Sequence, residues 1–274
     1  MTGQEQDERR LIASGASSRI FDLGDGRIVK LFDPSVSDEM IKREAEAAAF
    51  AHDRGLPVAR PLEQRMGEGE RATVYPLLDG RSLQSVLRAR WPEAKALLSR
   101  MAALHGRVHQ CSAPADLRPV KQVLETDIAY GPAGAALKQR ATAYLRDLAD
   151  GDRLLHGDYH IGNVMLVGDD MHVIDWAKAA RGAVAADVVR TEMLLRFGMG
   201  PSDMLTNIWR DWAARFYVRH YLALGIRDVD EEALAAWRPV VALAWLRARM
   251  PVRTRAFERY LDRALRDCGL PPHS

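Results

Sequence analysis

The stretch LLHGDYHIGNVMLVGDDMHVIDW, Leu154 to Trp176, constrains this chain more than any other. Its second half, NVMLVGDDMHVIDW, reads as a hairpin of two short strands joined at Gly168-Asp169-Asp170. A hairpin returns the chain to where it began, so Asp175 is expected near Asn163 although twelve positions separate them. Acidic residues are uncommon in buried strand-turn segments unless their charge is needed. One carboxylate and one amide oxygen at the open end of a hairpin suit a hard cation such as Mg²⁺, which prefers oxygen ligands. Asp158, in the loop just before, is then placed to orient a hydroxyl and take its proton.

The rest of the chain supplies a scaffold for such a site. With 274 residues, 47% hydrophobic, it is long enough for two unequal lobes. A net charge of +2 gives no argument for nucleic acid. Cys111 and Cys268 are far apart and make neither a disulfide framework nor a zinc site, so a reducing cytoplasm is the expected compartment. No apolar run approaches the roughly 20 residues that span a bilayer, and the polar start MTGQEQDERR is not a secretory signal.

The first third reads as α+β. RIFDLGDGRIVKLF gives two β-rich runs around Gly24-Asp25-Gly26, with Lys30 on a partly apolar strand face. SDEMIKREAEAAAFAHDRG is a helix capped by Ser37 or Asp38 and stopped at Gly55. Two more short strands flank Gly67-Glu68-Gly69. A helix over Trp91–Gln110 carries Leu97, Leu98, Met101 and Leu104 on one stripe, and residues 134–149 are helical. After Val184 nearly everything is helical. Leu205, Ile208, Trp209, Trp212 and Phe216 follow helical spacing, as do Leu234, Trp237, Val241 and Trp245. The tryptophans fit core packing better than a cation cage. The composition shift near Tyr75–Gly80 predicts a hinge, with a nucleotide-binding lobe over residues 1–78 and a helical lobe with the catalytic loop and acceptor site over residues 79–274.

Phosphoryl transfer needs a positioned base, charge neutralisation and in-line geometry. H-G-D-x-x-x-x-N, His156 to Asn163, matches the protein-kinase catalytic loop, with Asp175-Trp176 where those enzymes begin D-F-G. LHGDYHIGNVML, VIDWAKAARG and ADVVRTEMLL together resemble the aminoglycoside phosphotransferase and choline kinase family, small-molecule kinases with a protein-kinase-like bilobal fold. The similarity runs from about residue 11 to residue 200 and is most specific over residues 155–176. The resemblance implies Asp158 as catalytic base and Asn163 and Asp175 as Mg²⁺ ligands. It implies Lys30 as the strand lysine that pairs with the α- and β-phosphates of ATP or GTP. Glu44 and Glu46 are both available as its helix partner, and the family's R-E-A pattern favours Glu44. His156 is expected to support the loop, His160 to do the same or to touch the phosphates, and Asp187 to brace the loop or cap its own helix.

There is no G-x-G-x-x-G. ASGASSRIF, Ala13 to Phe21, offers small residues and hydroxyls instead, with Ser17 and Ser18 as phosphate-binding candidates. In TVYPLLDG the Pro76 carbonyl and Leu78 amide are candidates to read adenine. His105 and His109, four apart on a helix, have no apparent third ligand and read as core. Arg247, Arg249, Arg253, Arg255, Arg259, Arg263 and Arg266 predict a solvated face, with an anionic substrate or a partner subunit as the alternative for part of the set.

The expected partner is therefore a small-molecule hydroxyl acceptor, with no nucleic acid and no membrane, on a monomer or homodimer. The competing reading is a non-catalytic nucleotide-binding pseudokinase with a regulatory or scaffold role. Such proteins usually lose one of the Lys, Asp, Asn, Asp set, and all four candidates are present. A protein kinase is disfavoured because no A-P-E segment follows Asp175. A polycationic acceptor would require several acids, for which Glu192, Asp203, Asp211 and Asp228 are the candidates.

Overall fold

The computed structural model describes residues 10–15, 17–67, 70–247 and 251–273. In chain order it contains β1 (Arg10–Ser14), β2 (Ser18–Asp22), β3 (Arg27–Phe32), α1 (Asp38–Asp53), β4 (Glu63–Gly67), β5 (Glu70–Pro76), β6 (Arg81–Ser82) and α2 (Leu83–Ala89). A 3₁₀ turn (Trp91–Glu93) leads to α3 (Ala94–Gln110), α4 (Val120–Tyr130), α5 (Ala135–Asp147), β7 (Arg153–Leu155), β8 (Val164–Val167), β9 (Asp170–Val173) and β10 (Ala180–Gly182). Four helices finish the chain: α6 (Val184–Phe197), α7 (Met204–Leu222), α8 (Glu231–Trp245) and α9 (Thr254–Asp267). This is the expected α+β, protein-kinase-like composition: an antiparallel sheet first, then a helical unit.

Two compact units result. One holds the described residues up to Val86 plus Gly162–Lys178; the other holds Leu87–Ile161 and the described residues from Ala179 on. The expected division at residue 78 differs on both counts. The hairpin β8–β9 joins the first unit because β8 pairs with β6 through Arg81↔Leu166 and Ser82↔Met165. In addition, Val58 bridges Val173.

In the first unit β1-β2-β3-β5-β4 form one antiparallel sheet. The β2–β3 turn is built on Gly24 and Gly26, with φ of 80° and 81°, a region that glycine enters without a Cβ clash. The Asp22 carboxylate accepts the Gly24 amide at 2.8 Å. Helix α1 begins at Ser37, whose hydroxyl accepts the Met40 amide, and Asp38 and Glu39 in its first turn complement the helix dipole. β4 and β5 flank the expected turn, of which Glu68 and Gly69 lie outside the described residues.

The second unit buries one continuous core drawn from α4, α5 and α6–α9, joined by Ala102 of α3. The predicted stripe Leu97, Leu98, Met101 and Leu104 is buried, as are Trp237 and Trp245. Helix α6 is buried almost all round, which suits a helix at the centre of a bundle. Within α8, Pro239 has no N–H for the Ala235 carbonyl. That carbonyl instead takes the Cys268 thiol at 3.8 Å.

Several elements depart from the sequence reading, and the short strands β1, β6, β7 and β10 had no assigned counterpart. Helix α4, anchored by buried Leu124 and Ile128, had no assigned counterpart. The helical spacing in α7 holds, but Leu205 and Ile208 are 72% and 60% exposed, and the buried face runs through Ala213, Phe216 and Tyr217. The arginine-rich end is only partly a solvated face. Arg253 clamps Asp211 at 2.8 and 2.9 Å, Arg247 reaches Asp127 at 2.7 Å, and Arg249 lies outside the described residues. Among the described residues no helix is long and apolar enough to cross a membrane.

Gly80 shows how closely the β6–β8 pairing is packed. A Cβ there would stand 2.3 Å from the Leu166 carbonyl oxygen, which is backbone and cannot rotate away. Gly80→Ala is expected to cost about 1–3 kcal/mol of unfolding free energy, as overpacking does, measured by urea denaturation.

Candidate active site

Strand β3 sets Lys30 between Ile20 on β2 and Thr73 on β5. Its side chain is 10% exposed, and burying an ammonium is costly unless it is paired. Two carboxylates pair it. Nζ lies 2.5 Å from Glu44 Oε1 and 3.1 Å from Asp175 Oδ1. Burial by itself would push the Lys30 pKa down; the charges of Asp175 and Glu44 outweigh it and hold the ammonium above its ordinary value. Burial, only partly offset by Lys30, raises the Glu44 carboxyl. Buried Tyr75 has its phenol pushed up by burial first and then by Glu44 and Asp175. Glu44 therefore faces the lysine from α1. Glu46 points elsewhere, exposed, 3.7 Å from Lys42.

The β8–β9 hairpin brings Asn163 and Asp175 to one end. The pair Val164↔Val173 closes the ladder, and the Ile174 amide donates to the Asn163 carbonyl at 3.0 Å just beyond it. Asp175 then takes φ of 65°, a left-handed conformation that few residues other than glycine adopt. This turns the chain sharply out of β9 at the residue that meets Lys30. Strain of this kind tends to accumulate at working sites. The lysine with its two acids carries a net charge of −1, so the end of the hairpin is a place where a cation is welcome.

Asp158 belongs to the second unit, in a loop held by Asp187. The Asp187 carboxylate, 2% exposed as a residue, accepts the amides of His156 at 2.7 Å and Gly157 at 3.0 Å. It also lies 3.2 Å from Nε2 of both His105 and His109. Each imidazole Nδ1 meets a tyrosine hydroxyl at 2.6 Å, Tyr217 for His105 and Tyr221 for His109. Burial would raise the Asp187 carboxyl, but donors from His105 and His109 overcome it and hold the group well below the carboxylate range. An ionised Asp187 accepts only, so both Nε2 atoms donate, both Nδ1 atoms accept, and both tyrosines donate. The three side chains bring their ligand atoms within 4.8 Å of one another. That supplies the third member the sequence did not reveal beside His105 and His109. The hydrogen bonds satisfy both nitrogens of each ring without a metal.

His156 is fully buried and its Nδ1 accepts the Asp158 amide at 3.2 Å, so it supports the loop from within; His160 is half-buried. Thr191 on α6 donates to the Tyr159 carbonyl at 2.9 Å. Arg190, between Asp187 and Thr191, brings its guanidinium 3.9 Å from the Asp158 carboxylate. Sequence reasoning missed Tyr217, Tyr221 and Arg190. Their signal was the i, i+4 spacing shared by the histidine and tyrosine pairs, and the i+3 step from Asp187 to Arg190.

The remaining candidates lie in the first unit. Ser17 is exposed and Ser18 half-buried at the start of β2, where Gly15 N donates to Ser18 O at 2.8 Å and Asp33 N to Ser17 O at 2.9 Å. Ala16 lies outside the described residues. At the end of β5, Leu77 N donates to Gly26 O at 2.8 Å, which makes Arg27↔Pro76 a wide pair and leaves the Pro76 carbonyl outside the β3 ladder. The Leu78 carbonyl takes Gly80 N at 2.8 Å.

The phosphotransferase enzyme family profile matches residues 8–237, most of the chain. The chain belongs to the phosphotransferase enzyme family. Among curated proteins none matches it with significant sequence similarity. Solved structures share the fold. A choline/ethanolamine kinase family protein from Mesorhizobium loti is 16% identical, covering 95% of this chain and 86% of its own, with a TM-score of 0.60. A thermostable mutant of aminoglycoside phosphotransferase APH(4)-Ia, in ternary complex with AMP-PNP and hygromycin B, is 16% identical over 96% of this chain and 92% of its own, with a TM-score of 0.61. Choline kinase LicA from Streptococcus pneumoniae is 13% identical over 94% and 92%, with a TM-score of 0.59.

Buried His105 makes this phosphotransferase sensitive to acid. Burial, with His109 alongside, pushes His105 from 6.5 down to about 3, against the pull of Asp187. Below about pH 6.5 the unfolded chain binds a proton that the folded protein refuses. Stability is thus full above that pH and falls as pH drops toward about 3, by about 1.4 kcal/mol per unit from this residue. Denaturant midpoints measured across pH 4–7 should show this slope, and His105→Gln should flatten it.

Proposed function

We propose that the chain is a Mg²⁺-dependent kinase that moves the γ-phosphate of ATP or GTP onto a hydroxyl of a small molecule. The observation that carries this reading is the Lys30 ammonium, buried and held 2.5 Å from Glu44 and 3.1 Å from Asp175. Kinases pair their phosphate-binding lysine with a helix glutamate and set a metal-binding aspartate beside it, and Lys30, Glu44 and Asp175 match that set. The APH(4)-Ia structure holding AMP-PNP and hygromycin B supports a nucleotide donor and a small-molecule acceptor.

Each residue then has a task. Lys30 binds α- and β-phosphate oxygens, and Glu44 keeps its ammonium aimed. Ser17 and Ser18 line the phosphates from the β1–β2 turn. The Pro76 carbonyl and Leu78 amide hold the base through main-chain groups. Asn163 and Asp175 fit Mg²⁺, offering a carboxamide and a carboxylate oxygen beside a cluster of net negative charge. When bound, the ion neutralises charge that builds on the phosphates during transfer. Asp158 accepts the proton of the acceptor hydroxyl, so that the oxygen can attack phosphorus. His156 and Asp187 keep Asp158 in place by fixing the loop amides around it. The donor-binding groups fall in the first unit and the proton acceptor in the second, with only four residues of chain between Asp158 and Asn163.

Two variants test the assignment. Asp158→Ala should lose at least about 100-fold in turnover with little change in nucleotide affinity, since base catalysis is worth about 10²–10⁴. Unchanged turnover would remove Asp158 from the chemistry. Asp175→Ala should abolish the Mg²⁺-dependent part of nucleotide binding, read by calorimetric titration with and without the ion. Equal binding in both titrations for the unaltered chain would end the metal reading.

A further inference from the structure

We infer that the acceptor carries an oxyanion, a carboxylate or a phosphate, close to the hydroxyl that is phosphorylated, and that Arg190 binds it. The inference rests on the kinase reading and names its substrate class.

One face of α6 meets the catalytic loop residue by residue. Asp187, Arg190 and Thr191 stand at i, i+3 and i+4, which puts them on one side of a helix. Asp187 takes the amides of His156 and Gly157, and Thr191 donates to the Tyr159 carbonyl. Between them the Arg190 guanidinium faces Asp158. The separation of 3.9 Å gives Coulomb attraction but is too long for a hydrogen bond. The two side chains are 17% and 10% exposed. Arg190 Nε is shut off from water with no hydrogen-bond partner. A guanidinium has five donors in a rigid fork, and leaving such donors unmet in a dry place is costly. A group of this kind beside a proton acceptor is best explained by a ligand that completes it. The fork matches a carboxylate or phosphate in two parallel hydrogen bonds.

The acids of the same unit support the sign. A polycationic acceptor needs carboxylates with charge to spare. Glu192 is buried between Arg196 at 3.4 Å and Arg238 at 3.2 Å. Asp211 is clamped by Arg253. Asp203 caps α7 through the Thr206 amide at 3.0 Å. Asp228 lines a cavity together with Asp150, Asp152, Arg153 and Arg227, in which Asp150 is paired with Lys121 at 2.9 Å and Asp152 with Arg153 at 3.4 Å. Three of the four acids proposed from sequence for a polycation are thus tied to internal partners, while the positive charge at Asp158 has no hydrogen-bonded acceptor among the described residues.

The test uses the full chain with MgATP and three acceptors on one carbon framework, glycerol, glycerate and glycerol 3-phosphate, with the polycation kanamycin alongside. The expected result is that kcat/KM for at least one of the two anions exceeds that for glycerol. In Arg190→Gln the anion-to-glycerol ratio should fall by at least about 30-fold, the size expected when one partner of a buried hydrogen-bonded charge pair is removed. Glycerate and glycerol 3-phosphate separate carboxylate from phosphate. Arg190→Lys, which keeps the charge but not the fork, is the second variant should the glutamine fail to fold, and an intermediate ratio is expected of it. A ratio that stays constant while every rate drops would assign Arg190 to the transferred phosphoryl group and overturn the inference. So would kanamycin as the preferred acceptor.

If none of the four is phosphorylated, binding decides. Malonate and inorganic phosphate are titrated into protein saturated with Mg²⁺ and AMP-PNP. Binding of either that weakens by a like factor in Arg190→Gln upholds the inference; equal binding, or none of either, defeats it. Failure of AMP-PNP to bind at all is a different result and would count against the kinase reading itself.

Discussion

A carboxylate buried in the middle of the helical unit is the constraint from which the site follows. Asp187 is taken almost wholly out of water, and a charge in that position is tolerated only with its full set of hydrogen bonds. Two donors come from the backbone amides of His156 and Gly157 and two from imidazoles on α3. The imidazoles are fixed in turn by tyrosines on α7. One ion therefore connects α3, α6 and α7 to the loop that holds Asp158. The loop takes its shape from the core, because the amides of His156 and Gly157 must be where the charge needs them.

The first unit solves the opposite problem. There the buried charge is a cation, and it is shared between a helix and a hairpin that are distant in sequence: Lys30 and Asp175 are 145 positions apart. Glu44 is held by burial in place of solvent, and Asp175 by a backbone turn with positive φ. The two acids differ in exposure as their tasks differ. The side chain of Glu44 is 5% exposed and serves the lysine, whereas that of Asp175 is 42% exposed and remains open to whatever approaches.

Much of this was legible in the chain because it is local. The loop, the hairpin and the placement of Asn163 beside Asp175 follow from turn residues and period-two alternation within about twenty positions. The choice of Glu44 over Glu46 came from the family's pattern, and the structure agrees in facing Glu44 to Lys30. What could not be read is held together by partners 78 to 112 positions apart, as in His105–Tyr217, His109–Tyr221 and His109–Asp187. Two pairs at i, i+4 spacing say that each shares a helix face, but not that the faces meet. The exposed Leu205 and Ile208 err in the other direction: periodicity located the helix, and packing chose a different side of it. The place of β8–β9 in the first unit was likewise hidden, because it depends on pairing with β6, a strand of only two residues.

The boundary between the compact units falls after Ile161, inside the very motif that marks the chain. On the proposed reading, grip on the donor and removal of the acceptor's proton fall to bodies with separate cores. On the same reading, mutations that reshape α6, α7 and α8 would retune what is phosphorylated without touching the packing that secures Lys30 and Asp175. If that reading holds, a lineage built on this division would diversify its substrates while inheriting one unchanged way of holding a triphosphate.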